Sequence, residues 1–264
     1  MSPRPSGFTL IEVVIAITLS AVVAAFIANF IAVPVQSHLA QSRRSELQTS
    51  AETVTHWMSQ DVQHALPNSL RVATIGGRPV VEMIGIVTVT TYRRDTLDIS
   101  APDDQFDIMG LPSAAATGVV INNLGTAGHD AYAAVNDVVA AAQANPLSST
   151  ITVNPAFRFG SHPASQRAFL ITPAAAVIRY ECDVATGTLR RYDALALPAA
   201  LVALPAGTPS QVIARDVTAC TFTPAASTSE HGGLLLIRLT ISRVTNGATD
   251  RLLITKQLKV EEIA

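Results

Sequence analysis

The first 33 residues contain a long apolar run that is interrupted by a single acidic side chain. The run from Phe8 to Val33 has 26 residues, and as an α-helix it would extend about 39 Å at about 1.5 Å per residue. This exceeds the roughly 30 Å hydrocarbon core of a bilayer, so the pattern predicts a transmembrane helix over residues 8–33. Glu12 lies inside this run. A carboxylate at membrane depth costs about 2.5–3.5 kcal/mol on insertion scales, and it therefore calls for a partner.

An amphipathic helical pattern follows over residues 34–66. Pro34 removes one backbone hydrogen bond, so we expect a kink or a locally melted turn there. The helix should end near Leu66, because Pro67 disfavours helical geometry in the residue before it. Trp57 is expected to join or border the packed face. Apolar residues at steps of three and four positions define that face: Leu47, Ala51, Val54, Met58, Val62 and Ala65.

The pattern then changes to that of β-strands, and it predicts an antiparallel domain over residues 67–264. The clearest pair is near the end of the chain, where residues 235–241 and 252–260 alternate on either side of the turn residues Asn246 and Gly247. We predict an α+β fold in which the amphipathic helix covers one face of the sheet. Further strand-like segments span residues 80–92, 167–172, 176–182 and 188–192, the last two joined by a plausible hairpin turn at 185–187.

Two stretches of the predicted β domain lack a strand pattern. Residues 100–149 are rich in Ala, Asn, Asp and Gly, and residues 194–210 are rich in Ala, Leu and Pro. We expect both to be irregular insertions on the sheet. Long ordered loops often carry binding contacts, so these are also the first places to look for them.

Composition and motifs argue against several classes of function. The net charge is −2, and no Lys/Arg cluster is interleaved with aromatic residues, so nucleic acid is not an expected partner. We find no nucleophile elbow, zinc-protease helix or phosphate loop, and hence expect neither an enzyme nor a cofactor. Asp103, Asp104 and Asp107 could supply oxygen ligands to calcium. A solvated acidic loop is the favoured interpretation, so no metal site is predicted.

The residues that precede the apolar run resemble the class III signal of type IV pilins. A short leader, residues 1–7 with Arg4, ends at Gly7, and Phe8 and Glu12 follow at the first and fifth positions after it. Cleavage after Gly7 would create an amino group on Phe8 about one helical turn from Glu12. The alternative is an ordinary signal anchor that carries a glutamate by chance.

This resemblance implies a set of roles and partners. Prepilin peptidase would cleave after Gly7 and methylate the new amine of Phe8. Glu12 would act in assembly by attracting the terminal amine of an adjacent subunit. The implied fold is that of type IV pilins, and the implied partners are other minor pilins, the major pilin and the inner-membrane assembly platform. The implied location is the bacterial inner membrane, with a single pass, a periplasmic C-terminal domain and later incorporation in the extracellular pilus.

Later segments point to one branch of the pilin superfamily. Residues 65–72 (ALPNSLRV), 179–182 (RYEC) and 218–220 (TAC) are similar to MshO-like minor pilins of the MSHA pilus, and more distantly to the J-type pseudopilin of type II secretion and to PilW-type minor pilins. The resemblance implies a minor pilin in pilus assembly or initiation. The alternatives are a J-like pseudopilin and, with less support, an adhesin displayed by the pilus.

The chain has two cysteines, Cys182 and Cys220. An even number of cysteines in an exported chain favours a disulfide, and two buried thiols are the alternative. The pilin resemblance implies that a disulfide would join Cys182 to Cys220 in the C-terminal region.

Overall fold

The structure, a computed structural model, combines one long helix with antiparallel β-sheets, and it is of the α+β type. The chain divides into two compact units, residues 1–48 and 49–264, and the helix crosses the boundary between them. The structure describes residues 9–112, 114–197, 200–225, 233–245 and 248–260.

Helix α1 (Leu10–Gln63) has 54 residues and continues through Pro34. The locally melted turn that we expected at Pro34 is therefore absent. A proline removes only one hydrogen bond of the helical ladder, and its fixed φ suits a helix. Within the first unit, none of the residues 10–27 is buried, and their mean hydropathy is 2.6. By length and composition this segment could cross a membrane.

The helix ends at Gln63, three residues before the predicted end. Ala65 N donates to Val62 O at 3.2 Å, and Ala65 then forms an isolated antiparallel bridge with Gly85. The chain thus leaves the helix early because Ala65 already belongs to the edge of the β domain. The predicted buried face is confirmed, since six residues are at most 8% exposed: Leu47, Ala51, Val54, Met58, Val62 and Ala65.

In the described part of the chain, fourteen strands follow the helix. They are β1 (Arg71–Ile75), β2 (Arg78–Ile84), β3 (Thr88–Thr91), β4 (Asp103–Asp107), β5 (Ala116–Ile121), β6 (Val139–Ala144), β7 (Thr150–Phe157), β8 (Arg167–Ile171), β9 (Val177–Asp183), β10 (Thr188–Leu195), β11 (Gln211–Ala214), β12 (Val217–Ala225), β13 (Leu234–Thr245) and β14 (Ala248–Lys259).

The central sheet has five strands in the order β1-β2-β9-β10-β11. Every neighbouring pair is antiparallel, and β9 and β10 form the predicted hairpin. Gly187, in the turn between them, has a φ of +64°, which favours glycine. The segment of α1 that belongs to the second unit lies against this sheet, because Asp61 bonds to Tyr180 of β9 and to Arg191 of β10.

A six-stranded sheet in the order β3-β8-β5-β6-β7-β4 closes into a barrel. Its two outer strands meet again at the antiparallel bridge between Tyr92 and Ile108. Arg93 N donates to Asp107 O at 2.8 Å and Met109 N donates to Thr91 O at 2.7 Å across the same junction. Closure removes the free edges that an open sheet would present.

The barrel corrects the prediction for residues 100–149. This stretch is not an irregular insertion, because it contains β4, β5 and β6. Small side chains of β6, namely Ala140, Ala142 and Ala144, share the core with large ones such as Tyr92 and Phe106. The second stretch, 194–210, begins with the end of β10. Its described remainder, 196–197 and 200–210, carries turns and no strand.

The barrel is an insertion in the central sheet. Ile84 at the end of β2 pairs with Val177 at the start of β9, and the whole barrel lies between them in the chain. A second hydrophobic core joins the two parts. It contains Leu66, Ile84 and Val177 together with Val120 and Ile171 of the barrel strands.

The last three strands form a separate sheet in the order β12-β13-β14. The predicted terminal hairpin is confirmed, with Leu239 opposite Ile254 and Ile241 opposite Leu252. Its predicted turn, Asn246 and Gly247, lies outside the described residues. On β13 the inward side chains of Leu235, Ile237, Leu239 and Ile241 are at most 3% exposed.

Candidate functional site

The sequence places its strongest functional signal at the start of α1. Gly7 and Phe8, the predicted cleavage and methylation residues, lie outside the described residues. Glu12 lies in the first turn of α1, and its backbone N donates to Thr9 O at 3.1 Å. A carboxylate at a helix N-terminus interacts favourably with the positive end of the helix dipole. The structure thus places the Glu12 carboxylate at the N-terminal end of the helix.

Small residues follow Glu12 along one face of α1. Ala16, Ser20 and Ala24 follow Glu12 at steps of four residues and share its face. Small residues in this spacing allow another helix to approach closely in a membrane. Thr18 bonds within the helix, to Val14 O and Ile15 O at 3.0 Å each. This surface can therefore accept a second helix, and the Glu12 carboxylate is the charged group on it.

A buried ionic site attaches the helix to the centre of the sheet. Asp61 accepts hydrogen bonds from Tyr180 Oη at 2.5 Å and from Arg191 Nε at 2.7 Å. Burial, reinforced by the Asp61 charge, raises the pKa of Tyr180. Burial alone would lower the pKa of Arg191, but the bond to Asp61 and its charge more than offset this and raise that pKa. Both side chains therefore stay in the protonated, donating form at neutral pH.

Two further groups complete the surroundings of Arg191. Its Nη1 donates to Asp193 at 2.5 Å. Its guanidinium carbon lies 5.1 Å from the centre of the Trp57 ring, close enough for a cation–π contact. Trp57 is half-buried. The prediction that it joins or borders the packed face did not include its contact with Arg191.

The opposite face of the central sheet carries a second buried charge cluster. Glu82 of β2 is fully buried and lies between Arg71 of β1 and Arg179 of β9. Arg71 Nε donates to Glu82 at 2.8 Å, and Arg179 forms an ion pair with the other carboxylate oxygen. Arg179 Nη1 also donates to Val202 O at 2.7 Å. The loop around Val202 thereby covers this face of the sheet.

The loop between β5 and β6 fastens the barrel to the central sheet. Tyr132 Oη donates to Ser69 O at 2.9 Å, and the Arg71 guanidinium lies 3.5 Å from the centre of the Tyr132 ring. Asn123 Nδ2 donates to Pro67 O at 2.8 Å. Burial raises the pKa of Tyr132 well above its ordinary value. These bonds hold the inserted barrel in a fixed position on the sheet.

The two cysteines are joined in a disulfide. Cys182 lies on β9 and Cys220 on β12, and their sequence separation is 38 residues. The bond connects the central sheet to the three-stranded sheet. It is therefore a link between layers of the domain.

The acidic residues considered for calcium lie on strand β4 and not in a solvated loop. Asp103 accepts a bond from Asp98 N at 3.0 Å, and Asp107 accepts one from Thr150 Oγ1 at 2.8 Å. Among the described residues, no group of three or more His, Cys, Asp or Glu side chains is placed to hold a metal ion.

Sequence reasoning missed both buried charge clusters. The Asp61–Arg191 pair joins residues 130 positions apart, so no local pattern reveals it. A signal for the Glu82 cluster was available in the sequence. Glu82 and Arg179 each lie between two apolar or aromatic residues of their own strand. Charged residues inside such strands are almost always paired when buried.

The family model of the prokaryotic N-terminal methylation motif matches residues 3–28 of the chain. These residues include Gly7, Phe8 and Glu12. No curated protein and no solved structure matches the chain. The motif indicates a type IV pilin-like or pseudopilin-like protein, and it implies processing by prepilin peptidase and association with the membrane.

Proposed function

We propose that this chain is a membrane-anchored minor pilin that takes part in the assembly or initiation of an MSHA-type type IV pilus. One observation carries the proposal: Glu12 lies at the start of an exposed apolar helix, five residues after Gly7, within the matched methylation motif. Prepilin peptidase would cleave after Gly7 and leave a methylated amine on Phe8. The mature helix would remain in the inner membrane, with the β domain in the periplasm.

In the proposed mechanism, Glu12 drives docking. Its carboxylate lies among apolar side chains, including Val13, Ala16 and Ile17. In lipid such a charge is costly unless it is paired. The Phe8 amine of an adjacent subunit is the partner that cleavage supplies. The pair forms when one helix packs against another, so a subunit that leaves the membrane for the filament keeps its carboxylate neutralised.

The inserted barrel supports a minor subunit over a shaft subunit. A shaft subunit repeats along the filament and must pack against copies of itself on all sides. The barrel consists of strands β3 to β8, which lie between β2 and β9 in the chain. Asn123 and Tyr132 of the barrel bond to the segment before the central sheet. Such a fixed projection suits a position outside the repeating shaft, in an initiating complex or at the tip. In this proposal, α1 and the central sheet form the core of a type IV pilin fold.

The leading alternative is a J-like minor pseudopilin of type II secretion. The same cleavage and the same role of Glu12 would apply there. An adhesin has less support, because the barrel interior is filled by its own side chains, among them Tyr92, Phe106 and Phe159. A ligand would have to bind the barrel from outside.

The first test is the mass of the mature protein purified from membranes. We expect a chain that begins at a methylated Phe8 in a strain with prepilin peptidase. In a strain without the peptidase we expect the chain to retain residues 1–7. A full-length, unmethylated chain in both strains would contradict the proposal.

Deletion of the gene then separates the alternatives. Loss of surface pili with normal protein secretion supports the minor pilin. Loss of secretion with normal piliation would assign the chain to a type II secretion system. Genes for a major pilin or for a secretion machine beside this gene would point the same way.

A further inference from the structure

Strand β14 forms one edge of the three-stranded sheet. It has 12 residues, contains no proline and, in the described part of the chain, pairs only with β13. Most of its side chains are exposed. An edge of this length presents a row of backbone donors and acceptors that another strand can pair with.

The direction of the backbone groups on β14 follows from one bond. Val260 N donates to Gly233 O at 2.9 Å, on the side of β13. Backbone groups alternate in direction along a strand. The even-numbered residues of β14 therefore bond to β13, and the odd-numbered residues from Thr249 to Lys259 direct their N–H and C=O groups to the free edge.

The apolar side chains of β14 are more exposed than those of β13. On β13, Leu239 and Ile241 are 1% and 0% exposed. Their direct partners on β14, Ile254 and Leu252, are only half-buried although they lie on the same core face. Leu253, on the outer face, is 62% exposed. A further strand at this edge would cover apolar surface on both faces of the sheet.

We propose that a second copy of this chain occupies the edge, with its β14 antiparallel to the first about a twofold axis at Leu253. This register places Leu253 opposite Leu253 and Leu252 opposite Ile254 of the second copy. It also places Lys256 opposite Asp250 of the second copy, twice by symmetry. The result is a continuous six-stranded sheet across the two copies.

The backbone and the charges select this register. Outward-directed residues must pair with outward-directed residues, so the register can shift only in steps that keep odd opposite odd. One such step sets Asp250 opposite Ile254, and the step in the other direction sets Leu252 opposite Lys256. Each shifted register therefore sets a charged side chain opposite an apolar one. This loses opposite-charge and apolar cross-strand pairs, which contribute about 0.2–1 kcal/mol each.

The only two lysines of the sequence, Lys256 and Lys259, both lie on β14. Lysines on an edge strand resist indiscriminate pairing with other strands. Here they make pairing selective, because Lys256 meets a carboxylate only in the register centred on Leu253. This interface does not rest on the proposed function, since it uses neither the leader nor Glu12.

The first experiment uses the full chain with Leu253→Cys, in detergent micelles. The native cysteines are both in the disulfide, so the variant has one reactive thiol. In the proposed register the two Leu253 Cα atoms lie about 5.5 Å apart, within the range of a disulfide. Thr255→Cys is the matched control on the same exposed face, because its two copies would lie about 14 Å apart at about 3.4 Å per residue.

We expect mild oxidation to produce a covalent dimer of the Leu253→Cys chain and little or none of the Thr255→Cys chain. Equal yields from the two variants, or no dimer from either, would overturn the proposal.

The second experiment compares dimer dissociation constants by sedimentation. Leu253→Pro removes an N–H that points to the free edge, so it leaves the ladder to β13 intact. Two hydrogen bonds are lost per dimer, and we expect the dimer dissociation constant to rise about tenfold or more. Leu253→Thr keeps the N–H and should change the dissociation constant less than about fivefold.

Lys256→Glu is an independent variant, because it sets a glutamate opposite Asp250 of the second copy and so places two negative charges face to face. We expect it to weaken the dimer more at low salt than at high salt. Thermal melting and an intact disulfide establish that each variant is folded. Association through the apolar helix would persist in all three variants, so an unchanged dissociation constant in Leu253→Pro and in Lys256→Glu would refute the edge interface.

Discussion

Asp61 and Arg191 form a bidentate ion pair between helix α1 and strand β10. Arg191 Nε donates to Oδ2 at 2.7 Å and Nη2 donates to Oδ1 at 3.1 Å. The side chains are only 11% and 9% exposed. Tyr180 donates a third bond to the same carboxylate. One acidic side chain of the helix therefore bonds to two strands of the central sheet.

Removal of the Asp61 carboxylate should strongly destabilise the domain. In Asp61→Ala, the buried charge of Arg191 loses its main partner, and breaking a buried pair in this way costs about 3–5 kcal/mol. Urea unfolding measures the change in the free energy of unfolding. His56→Ala, at an exposed position of the same helix, is the control and should stay within about 0.5 kcal/mol of wild type. A loss below about 1 kcal/mol in Asp61→Ala would contradict this role.

The disulfide between Cys182 and Cys220 should stabilise the domain by restricting the unfolded chain. For a separation of 38 residues, the chain-entropy model gives about 4 kcal/mol. We expect dithiothreitol to lower the urea midpoint of the wild-type chain. The Cys182→Ala/Cys220→Ala variant should have a low midpoint that dithiothreitol does not change. The same midpoint with and without reductant in the wild type would show that the bond contributes little.

Stability should fall as the pH falls through the titration of His162. Tyr92 Oη lies 2.8 Å from His162 Nδ1, and neutral imidazole can accept this bond. Burial, with a smaller contribution from Arg94, lowers the pKa of His162 below its ordinary value of 6.5. The unfolded chain therefore takes up the proton first. The contribution of His162 is complete above pH 6.5 and is lost as the pH falls through the lower folded pKa.

The variant His162→Asn isolates this effect, because it keeps an acceptor but does not titrate. Melting temperatures at pH 7.5 and pH 5 provide the measurement. We expect the wild type to lose more stability between the two values than the variant does. Identical losses would show that His162 has no part in the pH dependence.

The predictable parts of the fold are those with strong local patterns. The face from Leu47 to Val62 repeats at helical spacing, and the terminal hairpin alternates between core and solvent along both strands. Both patterns report burial on one side of a regular element, and the structure has them where the sequence indicates. The helix boundary near Leu66 was less accurate, because a tertiary contact between Ala65 and Gly85 ends the helix early.

The barrel was not predictable in the same way. Strand β4 has the sequence DDQFD and strand β6 has VAAAQA, and Asp and Ala are depleted in strands. These segments form strands because their neighbours in the barrel pair with them. Ala140, Ala142 and Ala144 are buried at alternate positions of β6, where their small side chains pack beside the aromatic core. This alternation can be recognised only once the neighbouring strands are known.

We propose that Glu12 serves assembly of a pilus and not membrane insertion. The decisive measurement compares Glu12→Ala with wild type in a strain that lacks the native gene. Total protein in the membrane fraction and the amount in sheared surface pili are quantified together by immunoblot, and piliation is counted by electron microscopy. The helix stays apolar without the carboxylate, so membrane levels and cleavage after Gly7 should be unchanged. We expect incorporation and piliation to be lost; normal piliation at normal protein levels would contradict the account.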